Sequence, residues 1–192
     1  LMNLALKLNQ LGELQEALSL CDQNIERHQT NGYLEPLAGL IYIPRGILLY
    51  FLGEFSEAKN NMIKGIEISE KFKLAHVSWL PKIYYAKACF ISGELDKAYE
   101  IIDDIIKFTK KHNLKPKYMW ARSTRTEFDL ITESREKARE HLILYEKFSK
   151  KELSIYNYRN VLTLSRIFIT IEKPRKAIDQ LKKLENYCFG YS

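Results

Sequence analysis

A chain of 192 residues with 46% apolar and 28% charged residues is long enough for a buried core and too apolar for a disordered segment. Its three cysteines, Cys21, Cys89 and Cys188, are odd in number and far apart, which argues against a disulfide framework or a cysteine metal site and makes a reducing cytoplasm the expected location. A net charge of +6 invites a nucleic-acid reading, but the Lys and Arg residues read as scattered among Asp and Glu, as on a solvated surface.

No signal peptide is visible. The longest apolar run, Leu37 to Leu52, carries Pro44 and Arg45 at its centre, so a buried helix fits it better than a membrane span, and no membrane partner is expected. The chain enters a helical pattern directly after Leu1-Met2, which reads as a fragment cut from inside a longer array.

The predicted elements follow in order. Met2, Leu4, Ala5 and Leu8 mark the tail of a first helix, ended by Gly12. A second helix covers 14 to 28, and Thr30-Asn31-Gly32 is a turn. Pro36 opens a helix running to about Leu52, with a bend expected at Pro44 and Gly53 after its end. Further helices are predicted over 55 to 71, 76 to 91, 95 to 112, 116 to 131, 135 to 149, 153 to 170 and 174 to 187, the tail from Tyr187 having no clear pattern.

One phrase recurs through this order. Leu11-Gly12-Glu13-Leu14-Gln15-Glu16-Ala17 returns as Leu52 to Ala58, as Ser92 to Ala98, and more weakly as Glu133 to Ala138 and Glu172 to Ala177. The closing alanines are 41, 40, 40 and 39 residues apart, the mark of a repeat array. Twelve residues before each alanine stand Ala5, Gly46, Ala86, Thr126 and Ser165, all small. Four residues after each stand Cys21, Met62, Ile102, Leu142 and Leu181, all apolar and one turn along the same face. This is the packing rule of the tetratricopeptide repeat, stretched from a period of about 34 to about 40. The expected fold is all-α, a right-handed superhelix of about five tetratricopeptide-like hairpins forming one domain over 1–192.

The segment Pro36-Leu37-Ala38-Gly39-Leu40-Ile41-Tyr42-Ile43, continuing through Gly46, Leu48-Leu49-Tyr50 and Leu52 to Glu57-Ala58, resembles the repeat region of MalT-like transcriptional activators of the LuxR class. The local match covers about 36 to 70. The resemblance implies an effector-sensing superhelix set between a nucleotide-binding module and a helix-turn-helix. The family's arginine near Ile47 and its Glu-Trp-Asn run near Phe51-Leu52-Gly53 have no counterpart, so roles tied to them do not transfer. The chain has no G-x-x-x-x-G-K-[ST] loop and no helix-turn-helix pattern, so direct DNA binding is not expected.

No catalytic constellation stands out. His28, His76, His112 and His141 are dispersed and read as solvated or capping residues, with no metal or cofactor implied. The first helix of each hairpin is more informative. Tyr42, Lys82 and Arg122 share one repeat column, and Arg45, Tyr85 and Arg125 share the column one turn along. With Tyr118 and Trp120 they set aromatic faces beside cations, suited to a small-molecule or peptide effector in a concave groove. The plainer alternative is that the aromatics fill core and the cations pair with neighbouring acids. The functional expectation is a non-catalytic regulatory module that binds an effector and interacts with other modules of the same regulator. The alternatives are a peptide-binding module of quorum-sensing type and an assembly scaffold.

Overall fold

The computed structural model describes residues 12–30, 36–132, 135–149 and 158–189. The predicted helix over 2 to 10 and the turn at Asn31-Gly32 lie outside them. Within the described residues all regular structure is helical. The helices are α1 (Leu14–Thr30), α2 (Pro36–Leu52), α3 (Phe55–Lys71), α4 (Ala75–Ile91), α5 (Leu95–Lys111), α6 (Lys115–Thr132), α7 (Arg135–Ser149), α8 (Tyr158–Thr170) and α9 (Pro174–Phe189). Most predicted boundaries hold to within two residues. The last helix continues to Phe189, two residues past its predicted end. Both Pro44 and Pro81 lie inside helices that are not interrupted.

The turns explain the 40-residue period. Gly53 has φ +85 and Gly93 φ +82, the left-handed conformation that a glycine adopts without steric cost. The Gly53 N–H donates to the Tyr50 carbonyl at 3.2 Å and the Glu54 N–H to the Leu49 carbonyl at 2.9 Å, closing the last turn of α2. Lys73 and Asn113, at φ 57 and 54, close α3 and α5 with the same pair of bonds. Positions 53, 73, 93 and 113 are 20 apart. Each half-repeat from α3 to α5 is therefore one 17-residue helix plus a three-residue turn, and glycine marks only alternate turns.

An added Cβ at Gly93 meets nothing within 4 Å, so Gly93→Ala probes the backbone alone and should cost about 1 kcal/mol. Lys73→Gly should raise stability by about the same amount, because it removes a left-handed non-glycine residue. Urea denaturation of the two variants checks both signs.

The helices group into two compact units, 1–105 and 106–192, with the boundary inside α5. In the first unit α2 packs on α1, α3 and α4. Its core contains Ile43, Ile47, Leu49, Ala58 and Met62, with Ala17, Cys21, Ile41 and Leu48 forming a second cluster. The small residue predicted at position 46 is needed: a Cβ there would lie 2.8 Å from Met62 Cγ and 3.1 Å from the Ala58 carbonyl oxygen. In the second unit α8 packs on α6, α7 and α9 around Ala138, Tyr145, Leu164, Ile167 and Phe168. All five repeat alanines are buried: Ala17, Ala58, Ala98, Ala138 and Ala177. The apolar column that follows them is buried at Cys21, Met62 and Ile102, whereas Leu181 on α9 is 41% exposed.

Candidate functional site

In the first unit the predicted cations already have acids. Arg45 Nε donates to Asp22 Oδ1 of α1 at 2.6 Å, and its NH1 lies 3.5 Å from Glu57 Oε2 of α3. Arg45 therefore ties three consecutive helices together. Lys82 Nζ donates to Glu70 Oε1 at 2.7 Å. The aromatic partners are half-buried. Lys64 Nζ stands 5.3 Å from the Tyr42 ring centroid, and Lys97 Nζ 5.2 Å from that of Tyr85. Tyr85 packs against the Ile43–Ile47 cluster. Among the described aromatics of this unit the exposed one is Phe51, 48% exposed, whose ring meets Tyr50 at 5.6 Å and Tyr84 at 5.8 Å.

In the second unit the α6 residues divide into two groups. Arg125 forms an ion pair with Asp129, which is 4% exposed. Asp129 Oδ2 also lies 3.0 Å from His141 Nε2 of α7. His141 Nδ1 is 3.4 Å from Thr126 Oγ1, and Thr126 is 3.4 Å from the Tyr145 hydroxyl. Tyr145 in turn donates to Ser123 Oγ at 3.4 Å. Burial pushes the Tyr145 phenol above its usual pKa, which keeps it a neutral donor. A polar chain thus occupies the seam between α6 and α7. Thr126, one of the predicted small residues, takes part through its hydroxyl. Arg125 belongs to this structural chain, in line with the plainer reading of the sequence.

Trp120 and Arg122 differ. The Arg159 guanidinium of α8 stacks on the Trp120 ring, 3.6 Å from its centroid. Arg159 stands 39 residues after Trp120, one repeat along. Arg159 is not among the eight predicted residues, and its stack on Trp120 carries the aromatic-and-cation pairing onto α8. Arg122 Nε is buried and makes no hydrogen bond. Tyr118, also on α6, is half-buried. Half of the eight predicted residues fall in each unit. Arg122 stands two residues from Trp120 on α6, off the face that meets α8 and within electrostatic reach of Tyr145 of α7, so the α6–α8 contact is Trp120 on Arg159. Beside it Arg166 of α8 pairs with Glu127 of α6. The described residues contain no group of His, Cys, Asp and Glu able to hold a metal ion. No helix among them is long and apolar enough to cross a membrane.

No family model matches this sequence, and no curated protein matches it. Two solved structures do. One is a kinesin light chain-like protein of Podosopora anserina with nearly identical TPR-like repeats. It aligns with a TM-score of 0.65 at 16% identity, over 96% of this chain and 91% of that one. The other is a single-substitution variant of the same protein, with a TM-score of 0.67 at 15% identity and the same coverage. The fold is tetratricopeptide-like. The repeat arithmetic, the buried alanines and the two alignments agree on this, and at this identity the likeness is one of fold.

Within this tetratricopeptide-like fold the cysteines are inert packing residues except for one. Burial pushes the Cys21 thiol up to about 11, and burial also raises Cys89. A raised pKa means fewer thiolates at neutral or mildly alkaline pH, while Cys188 is exposed. An aromatic disulfide reagent near pH 8 should react promptly with one thiol of the native protein and with all three after unfolding. Three prompt equivalents would contradict the burial of Cys21 and Cys89.

Proposed function

We propose that this chain is a non-catalytic recognition domain that takes an anionic segment of an effector or partner onto helix α6 of its second unit. The observation that carries the proposal is the Arg122 guanidinium of α6, whose buried Nε lacks an acceptor. A buried donor left without an acceptor costs about 1–3 kcal/mol, and such groups are met by a ligand or water more often than left bare. A guanidinium suits a carboxylate or phosphate, which it grips with two parallel bonds. Arg45, Lys82 and Arg125 are structural cations in this reading. Tyr42 and Tyr85 support the first unit, and Tyr118 lines the site.

The resemblance over 36 to 70 supports a finer reading, in which the domain is the effector-sensing part of a MalT-like regulator. Binding would then bias the arrangement of the attached modules. A parent gene with a nucleotide-binding module upstream and a helix-turn-helix downstream would support that reading. A helix-turn-helix upstream would favour the peptide receptor of quorum-sensing type instead.

The direct test is a displayed library of acidic peptides, with the enriched sequence titrated calorimetrically. Arg122→Ala should weaken binding by at least about tenfold, one charge-assisted bond being worth about 1.5–3 kcal/mol, with the melting temperature unchanged. Arg122→Lys should not restore it, because an ammonium lacks the planar fork. No enrichment, or full binding by Arg122→Ala, would reject the site.

A further inference from the structure

We propose that the turn joining α5 to α6 is a contact surface for an anionic lipid bilayer. Several stretches of the chain lack acids, and one of them is much the densest in cations. From Ile105 to Thr126 there are five lysines, two arginines and one histidine, with no Asp or Glu. The five lysines all fall between 107 and 117, around this turn. The helical phase of α5 turns Lys107, Lys110 and Lys111 outward: Ile102, Ile105 and Thr109 are buried, so the other face is the one that meets solvent. Lys110, Lys111 and Lys115 are all exposed. Among them stands Phe108, 45% exposed, its ring 4.5 Å from that of His112. The same sequence pattern recurs one repeat later. Lys107-Phe108-Thr109-Lys110-Lys111 returns as Lys147-Phe148-Ser149-Lys150-Lys151, 40 residues on.

The fold does not require this charge. α3 and α5 begin with Glu57 and Asp96 in the first turn, but α6 begins with Lys115 and Lys117 and no acid. Like charges crowded on one turn repel, and an anionic surface relieves that repulsion. The residue types choose the surface. Between 107 and 117 every permanent cation is Lys, a hydrated point charge without the directional fork that phosphate recognition in nucleic acids favours. An exposed phenylalanine among lysines suits the headgroup region, where charge is diffuse and an apolar ring can enter shallowly. A peripheral contact needs no spanning helix, which is why the apolar pattern of the sequence did not predict a membrane partner.

The test is co-sedimentation of the whole chain with vesicles, either of phosphatidylcholine alone or with about one-third phosphatidylserine, near physiological ionic strength. Partitioning onto the anionic vesicles and not the neutral ones is expected. Lys110→Gln/Lys111→Gln/Lys115→Gln should lower it on the order of 100-fold, each lysine contributing about one kcal/mol at such a surface. Phe108→Ala should lower it several-fold. The charge-matched control Arg175→Gln/Lys182→Gln/Lys183→Gln should stay within about threefold, since charges beyond a Debye length are screened. Unchanged helical circular dichroism checks that each variant is folded. Equal loss in the control would mean that net charge alone drives binding, and would overturn the proposal. So would equal binding to neutral vesicles. Tighter binding to oligothymidylate, lost in the same lysine variant, would assign the turn to single-stranded nucleic acid instead.

Discussion

Arg125→Ala should lower stability by about 3 kcal/mol, more than any other single charge removal on α6. Arg125 is 23% exposed, but its partner Asp129 is only 4% exposed. Truncating the arginine leaves a buried carboxylate facing His141 Nε2 at 3.0 Å across the seam. Removing one member of a buried pair is costly because the other charge stays desolvated. Replacing both members by apolar residues, as in Arg125→Met/Asp129→Leu, should recover much of the loss, since no charge is then stranded. Urea denaturation measures all three proteins. A single-variant cost below about 1 kcal/mol would show that water reaches Asp129 and that the polar chain is not a structural element. Arg122→Ala should leave stability almost unchanged, because its Nε has no bond to lose. The two neighbouring arginines are thereby separated, one tied into the α6–α7 seam and the other with a buried Nε that makes no hydrogen bond.

Gly46→Val should cost about 3 kcal/mol, at the upper end for overpacking. The first added carbon alone would lie 2.8 Å from Met62 Cγ and 3.1 Å from both the Ala58 carbonyl oxygen and the Met62 backbone nitrogen. The side-chain atom can move; the two backbone atoms can yield only if α3 shifts away from α2. Replacing an interior glycine by valine would otherwise gain about 0.3 kcal/mol of helix propensity, so a measured loss is the surplus of clash over that gain. A companion change, Met62→Ala, relieves the side-chain contact and leaves the backbone contacts, so it should restore only part of the stability. A neutral Gly46→Val would mean that α2 and α3 do not approach closely at this point.

The helices were legible in the sequence because their signals are local. Gly53 and Gly93 announce left-handed turns, Pro36 and Pro174 suit helix starts, and the spacing of small and large residues around Ala58 and Ala98 follows from two helices in contact. The half-repeat of 20 residues was not legible. Lys73 and Asn113 adopt the same backbone conformation as the glycines, and nothing in a lysine announces it. There the packing of flanking helices imposes what residue preference would not.

The sequence by itself determined an all-helical repeat with a 40-residue period and the faces on which its small residues, aromatics and cations stand. Tertiary structure decided which of those cations are occupied. Arg45 meets an acid 23 residues away, Arg166 one 39 residues away, and Trp120 is covered by an arginine from the next hairpin. Column arithmetic places residues on a face, but the partner of a long side chain depends on how adjacent helices are set against each other. That setting comes from close contacts such as Gly46 on Met62, through packing that no single stretch of sequence contains.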